Sequence, residues 1–143
     1  MDDSIRLPRY FVAEEISLMG RCLEAIVSGR FIDNQMLQTL TGRNVETFQE
    51  LSGRFESFAK FDTTARLSRD DYEVIFQAVL QLVGYPVDNP RDLGPFLGIS
   101  VLHLNWFRYR LTSMRDDWKQ TVEADAKRLA DCELSRVSAR DRR

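Results

Sequence analysis

The chain has 143 residues, of which 43% are hydrophobic and 29% charged, and this composition excludes disordered, collagen-like and disulfide-framework proteins. A domain of this size buries roughly 70% of the surface that its unfolded chain exposes, so the sequence can form one hydrophobic core. Its 20 basic and 22 acidic residues nearly cancel, whereas a dedicated nucleic-acid-binding domain is usually strongly basic.

Apolar residues recur at helical spacing along almost the whole chain, which is typical of helices that bury one face. Two such stripes are formed by Ile16, Met19, Leu23 and Ile26 and by Tyr72, Ile75, Val79 and Leu82. No run of four or more residues alternates between apolar and polar with turn signals at both ends. We therefore predict an all-α fold of about seven helices, with residues 1–143 forming a single domain.

The first half of the chain divides into three predicted helices. The first helix is long and ends at Ser28 and Gly29. The second is short and is closed by Gly42, since glycine readily adopts the left-handed conformation that ends many helices. Asn44 follows at the position of an N-cap, where a short polar side chain accepts a hydrogen bond from the next helix.

The second half repeats this order of helices. Ser68 caps a long helix that ends near Gly84, and a short helix follows over about 89–97. Gly98 closes the short helix, and Ser100 caps the third helix of this half.

An offset of 56 residues superposes the two halves without a gap. It aligns residues 11–59 with 67–115, and it places Gly42 on Gly98, each followed two positions later by a capping residue. Helical periodicity alone does not produce the matched glycine and cap. We predict two related three-helix units.

A seventh helix is predicted over 116–135, followed by a frayed tail over 136–143. Its narrow apolar stripe consists of Trp118, Val122, Leu129 and Cys132. Such a stripe predicts that this helix clamps across both units.

The cysteines and the chain start carry information about compartment and ligands. Cys22 and Cys132 form no CxxC pair, and the single histidine, His103, cannot complete a zinc site with them without a carboxylate. No stretch approaches the roughly 20 apolar residues of a membrane span, and the start lacks the order of a signal peptide. We expect a cytoplasmic protein without a metal, a cofactor or a membrane partner.

Catalytic motifs are sparse in this sequence. A Ser-His or Cys-His mechanism would have to use His103, and we interpret this residue as a histidine on a helix surface. The carboxylate pairs at 14–15, 70–71 and 116–117 are neighbours that point about 100° apart on a helix, so they cannot share a proton. We expect them to cap helix starts, and we predict that the chain is not an enzyme.

The turn Gly98-Ile99-Ser100 resembles that of a DNA-binding helix-turn-helix, in which a short helix and a second helix cross at a steep angle. The resemblance implies a DNA-binding regulator as the alternative function. Against it, the corresponding face of the first unit carries Glu46 and Glu50, which DNA phosphates would repel. We expect no nucleic-acid partner.

Arginine supplies 17 of the 20 basic residues, and it clusters with aromatic residues at Trp106, Arg108 and Tyr109. Arginine, tryptophan and tyrosine are enriched at the centres of protein interfaces. Two interpretations stay open here. Either these side chains form a partner surface, or the C-terminal helix covers them through Trp118.

The segment from Leu67 to Leu111 resembles small helical bacterial proteins of the toxin-immunity type. It consists of a Ser-capped apolar helix, a glycine-containing break, an acidic stretch and the turn at 97–100. The resemblance implies a protein that occludes the active site of a toxin domain, and we leave a homodimer open. The expected contacts are Asp33, Glu46, Glu50, Asp88, Asp92, Trp106, Arg108 and Tyr109.

Overall fold

The structure, a computed structural model, describes the backbone of residues 4–61 and 66–141 and the side chains of 4–56, 66–128 and 130. Within this part, the chain folds into helices joined by short turns, with one two-residue strand pair. The elements are β1 (Ile5–Arg6), α1 (Leu7–Tyr10), α2 (Ala13–Val27), α3 (Asn34–Thr41), α4 (Val45–Phe61), β2 (Arg66–Leu67), α5 (Arg69–Gly84), α6 (Pro90–Leu97), α7 (Val101–Asp116) and α8 (Trp118–Asp141). The all-α prediction is confirmed.

The predicted helix caps are confirmed at the ends of the two short helices and at the starts of α5 and α7. Gly42 and Gly98 close α3 and α6 with φ of 72° and 75°, in the left-handed region that favours glycine. The Ser68 and Ser100 hydroxyls accept hydrogen bonds from the backbone N–H groups of Asp71 and His103. These caps start α5 and α7 where the sequence predicts them.

The helices of the two halves begin at equivalent positions. α3 and α6 both have eight residues and lie 56 positions apart, and α4 and α7 start 56 positions apart. In each half the long first helix packs against the third, α2 against α4 and α5 against α7. α2 also packs against α5 and α6, which joins the halves through one core.

Four features differ from the sequence-based expectations. β1 pairs antiparallel with β2, placing Ile5 opposite Leu67, and α1 adds a helix before the first predicted one. α7 includes Asp116, so the last helix starts at Trp118 rather than at Asp116. This helix extends to Asp141, beyond the predicted boundary at 135.

α8 packs through its first turns. Trp118 is buried with its ring centroid 4.8 Å from that of Tyr72, and Val122 lies half-buried against the core. One turn further on, Asp125 is buried and pairs with Arg6, which ties α8 to the start of the chain. The side chains of Leu129 and Cys132, also predicted to face the core, lie outside the described residues, as do positions 142–143 of the predicted tail.

No helix in the described part of the chain is both long and apolar enough to cross a bilayer.

Candidate partner-binding surface

One face of α7 is fixed in the core. Leu104, Phe107 and Leu111 are buried, and the Phe107 ring meets Phe11 edge-on with centroids 6.2 Å apart. The Tyr72 hydroxyl donates a 2.6 Å hydrogen bond to the Leu111 carbonyl oxygen. Burial raises the pKa of this tyrosine, so the hydroxyl keeps its proton for the bond. These contacts fix the rotation of α7 about its axis.

The opposite side of α7 exposes three large side chains. Leu102 is 69% exposed, Trp106 is 70% exposed and Tyr109 is 57% exposed. Their spacing of four and then three residues places them in one row along the helix. We call these three residues the α7 outer face. An aligned row of exposed apolar side chains is more informative than scattered ones, because contiguous apolar patches mark binding sites.

The C-terminal helix leaves this row uncovered. Trp118, which one interpretation placed over Trp106 and Tyr109, is 4% exposed and packs on Tyr72 instead. The expected cover through Trp118 is therefore absent, and Trp106 and Tyr109 are exposed. Leu102 completes the row and is absent from the sequence-predicted contacts, although its spacing to Trp106 and Tyr109 was a readable signal.

The three arginines of α7 have different surroundings. Arg110 pairs with Glu15 and with the Tyr10 carbonyl oxygen, and Arg115 donates to Glu73 at 2.6 Å. Arg108 has no carboxylate partner among the described residues. Its guanidinium carbon lies 4.7 Å from the centroid of the Tyr109 ring, and its buried Nε group lacks a hydrogen-bond acceptor. Arg108 therefore borders the outer face as a cation with no counter-ion in the described part of the chain.

Three of the predicted acidic contacts lie where the loops before α3 and α6 meet. Asp33 caps α3 by accepting a hydrogen bond from the Met36 N–H, and Asp92 pairs with Arg30 at 3.2 Å. The backbone N–H of Asp88 donates to the Phe31 carbonyl oxygen at 2.8 Å. Asp33 and Asp92 therefore have structural roles in this junction between the two halves.

The remaining acidic candidates, Glu46 and Glu50, are exposed on α4. Glu46 lies in the first turn of this helix, where the helix dipole stabilises a negative charge. The structure thus brings Trp106, Arg108 and Tyr109 together on α7 and distributes the acidic candidates over the junction and α4.

His103 lies in a shallow groove between α2 and the turn before α7. The groove has a volume of about 560 Å³, and its lining includes Glu14, Glu15 and Arg21. The Nδ1 atom of His103 lies 3.1 Å from the Ser100 hydroxyl oxygen, which also accepts from the His103 backbone N–H. Ser100 is therefore occupied as the helix cap.

The paired carboxylates diverge, as neighbours on a helix must. Asp70 pairs with Arg43 at 3.0 Å, and Asp71 pairs with Arg54 at 2.6 Å. The Glu15 side chain accepts a hydrogen bond from the Val12 N–H at the start of α2. The pair at 116–117 differs from the prediction in one member, because Asp116 is the last residue of α7. Asp117 lies between α7 and α8, and its backbone carbonyl oxygen accepts a hydrogen bond from the Thr121 N–H in the first turn of α8.

In the part of the chain that the structure describes, no three His, Cys, Asp or Glu side chains form a group that could hold a metal ion. Comparison with known protein families, with curated proteins and with solved structures finds no match for this chain.

Proposed function

We propose that this protein is a non-catalytic protein-binding protein whose contact surface is the α7 outer face. We further propose that the partner is a bacterial toxin domain, which this chain neutralises in the cytoplasm by occluding its active site. The observation that carries the proposal is the 70% exposure of Trp106 in a row with Leu102 and Tyr109.

The composition of the outer face supports protein binding. Tryptophan and tyrosine dominate binding energy at interface centres, because large rigid rings bury much area at a small cost in conformational entropy. The adjacent Arg108 belongs to the third residue type enriched there. Burying a large apolar side chain contributes roughly 1.5–3 kcal/mol, so three such side chains can anchor an interface.

The support beneath this face favours steric occlusion. The Phe11 ring contacts Phe107 of α7, and α5 holds α7 through the Tyr72 hydroxyl and the Arg115–Glu73 pair. A surface that is fixed before binding loses little conformational freedom on association. A rigid surface of this kind can cover the active site of another protein without rearranging.

The size of the face indicates how the interface extends. A stable interface buries about 800 Å² on each partner, which three side chains alone do not supply. The exposed Val101, at the start of the same helix, is 42% exposed and adds apolar area. We therefore place the energetic centre at Leu102, Trp106 and Tyr109, with a polar rim around it.

The alternative DNA-binding function has less support from the geometry. Phosphate binding needs free cations, and two of the three arginines on α7, Arg110 and Arg115, are already paired with Glu15 and Glu73. Arg108 alone is a single contact, too few to hold a DNA backbone. The residues most exposed on α7 are apolar rather than basic. Duplex DNA binding with a steep salt dependence would favour this alternative.

The choice of a toxin rests on the resemblance of residues 67–111 to immunity-type proteins, and it is tested separately from binding. The tagged chain and its Trp106→Ala variant are purified from the native host, and bound proteins are identified. Leu40→Ala is the matched control, because Leu40 is an exposed leucine, 40% accessible, on α3. We expect one stoichiometric partner with the wild type and Leu40→Ala, and none with Trp106→Ala.

The identified partner is then expressed alone and with each variant. We expect that it arrests growth, and that the wild type and Leu40→Ala restore growth while Trp106→Ala does not. A partner that binds through Trp106 but is harmless would overturn the toxin assignment. A concentration-dependent dimer that Trp106→Ala abolishes would instead show that a second copy covers the face.

A further inference from the structure

We infer that the α7 outer face binds an acidic, apolar segment of its partner and that a partner carboxylate pairs with Arg108. This inference rests on the proposed function and adds the chemistry of the partner. It begins with the charge of α7, whose residues 101–115 include three arginines and no Asp or Glu.

Two acidic residues that neighbouring elements direct at α7 are already paired with its arginines. Glu15 from α2 binds Arg110, and Glu73 from α5 binds Arg115. No described carboxylate pairs with Arg108. The charge left at the outer face is therefore positive, and its complement is a negative charge on the partner.

The position of Arg108 makes this complement energetically important. Its guanidinium lies over the Tyr109 ring, so a protein that covers Tyr109 also removes water from the guanidinium. A charged group that loses water without gaining a partner weakens binding, and the Arg108 Nε group already lacks an acceptor. A carboxylate satisfies a guanidinium best, because its two oxygens match the planar fork.

The test uses three helical peptides that share one row of leucines and differ in the flanking positions, which are all Glu, all Gln or all Lys. Their affinities for the full chain are measured at low salt. We expect the Glu peptide to bind at least about tenfold more tightly than the Gln peptide, and the Lys peptide to bind most weakly.

The variants assign this preference to one side chain. Arg108→Gln should bind the Glu and Gln peptides equally, whereas Arg91→Gln, with the same change in net charge at an exposed site on α6, should keep the preference. Arg108→Lys keeps the positive charge and should retain part of the preference for the Glu peptide. The Trp106→Ala variant should bind none of the three peptides.

Two results would overturn the inference: equal affinity of the wild type for the Glu and Gln peptides, or a preference that persists in Arg108→Gln. Failure of all three peptides to bind the wild type would also overturn it. These results differ from the one that would contradict the proposed function. That result is a native partner that binds the Trp106→Ala variant as tightly as the wild type.

Discussion

Arg6 and Asp125 join the start of the chain to its last helix across 119 positions of sequence. The Arg6 Nη2 atom lies 3.0 Å from the Asp125 Oδ1 atom, and the Asp125 side chain is 2% exposed. The Asp125 carboxylate also accepts from the Arg6 backbone N–H. This pair and the Tyr72–Trp118 contact hold α8 on the side of the core that leaves the α7 outer face open.

We predict that Asp125→Ala destabilises the protein by about 3 kcal/mol, because it leaves the Arg6 guanidinium, 20% exposed, without its counter-ion. The matched control is Asp92→Ala, which breaks the exposed pair with Arg30 and should cost under about 1 kcal/mol. Urea unfolding measures both. Equal losses in the two variants would show that the buried pair contributes no more than a surface pair.

Gly42 and Gly98 end equivalent helices in the two halves, so substitutions at these positions can be compared directly. Both have positive φ, so alanine at either position should cost about 1 kcal/mol of strain. At Gly98 the added Cβ would lie 2.8 Å from the Arg21 Nη1 atom, whereas at Gly42 nothing lies within 4 Å. Arg21 would have to move and lose its 2.9 Å bond to the Leu97 carbonyl oxygen.

We therefore expect Gly98→Ala to be more destabilising than Gly42→Ala by about 1 kcal/mol, the usual value of one hydrogen bond. Thermal or urea unfolding gives this difference. Repeating the comparison in an Arg21→Ala chain should remove it. A difference that persists without Arg21 would mean that the two turns differ for another reason.

Burial raises the pKa of the Cys22 thiol to about 12, well above the ordinary value of 9.0. In the unfolded chain the thiol loses its proton at lower pH than in the folded chain, so the folded state is favoured less as pH rises above about 9. The contribution is complete below the unfolded pKa and disappears as pH approaches the folded pKa.

In a Cys132→Ser chain, we expect the free energy of unfolding to fall between about pH 9 and pH 10.5, with Cys22 contributing up to about 1.4 kcal/mol per pH unit. Cys22→Ala in the same chain should reduce this slope. Urea unfolding at each pH measures it. Identical slopes in the two chains would contradict the burial of the thiol.

The two tryptophans should report opposite environments. Trp106 is 70% exposed and Trp118 is 4% exposed. In a Trp118→Phe chain the remaining Trp106 should show an emission maximum at long wavelength and strong quenching by acrylamide. In a Trp106→Phe chain the remaining Trp118 should show an emission maximum at short wavelength and weak quenching. Similar quenching in both chains would contradict an uncovered outer face.

Much of the fold follows from local signals. Gly42, Gly98, Ser68 and Ser100 end or start helices through interactions within a few residues, so the sequence predicts them directly. The sequence contains no periodic signal for the β1–β2 pair, because two-residue strands form by pairing with a distant segment. α1 has four residues and is too short for a helical repeat of apolar residues. The Arg6–Asp125 pair is likewise non-local, and nothing near Asp125 in the sequence indicates that it is buried.

The candidate site was predictable in part. Trp106, Arg108 and Tyr109 follow from residue type, but their exposure depends on where Trp118 packs, which is a tertiary fact. Asp33 was expected to contact a partner, although an aspartate just before a helix is a common N-cap. A capping aspartate therefore has a structural explanation that needs no partner, and the Asp33 side chain does cap α3.

The central claim is that the α7 outer face is the surface through which this protein acts. The most direct measurement is the dissociation constant of the purified partner for the wild type, Trp106→Ala and Leu40→Ala. Because central aromatic residues carry at least about 2 kcal/mol of binding, Trp106→Ala should weaken binding about thirtyfold or more, while Leu40→Ala changes it less than about twofold. Equal dissociation constants for the wild type and Trp106→Ala would contradict the claim.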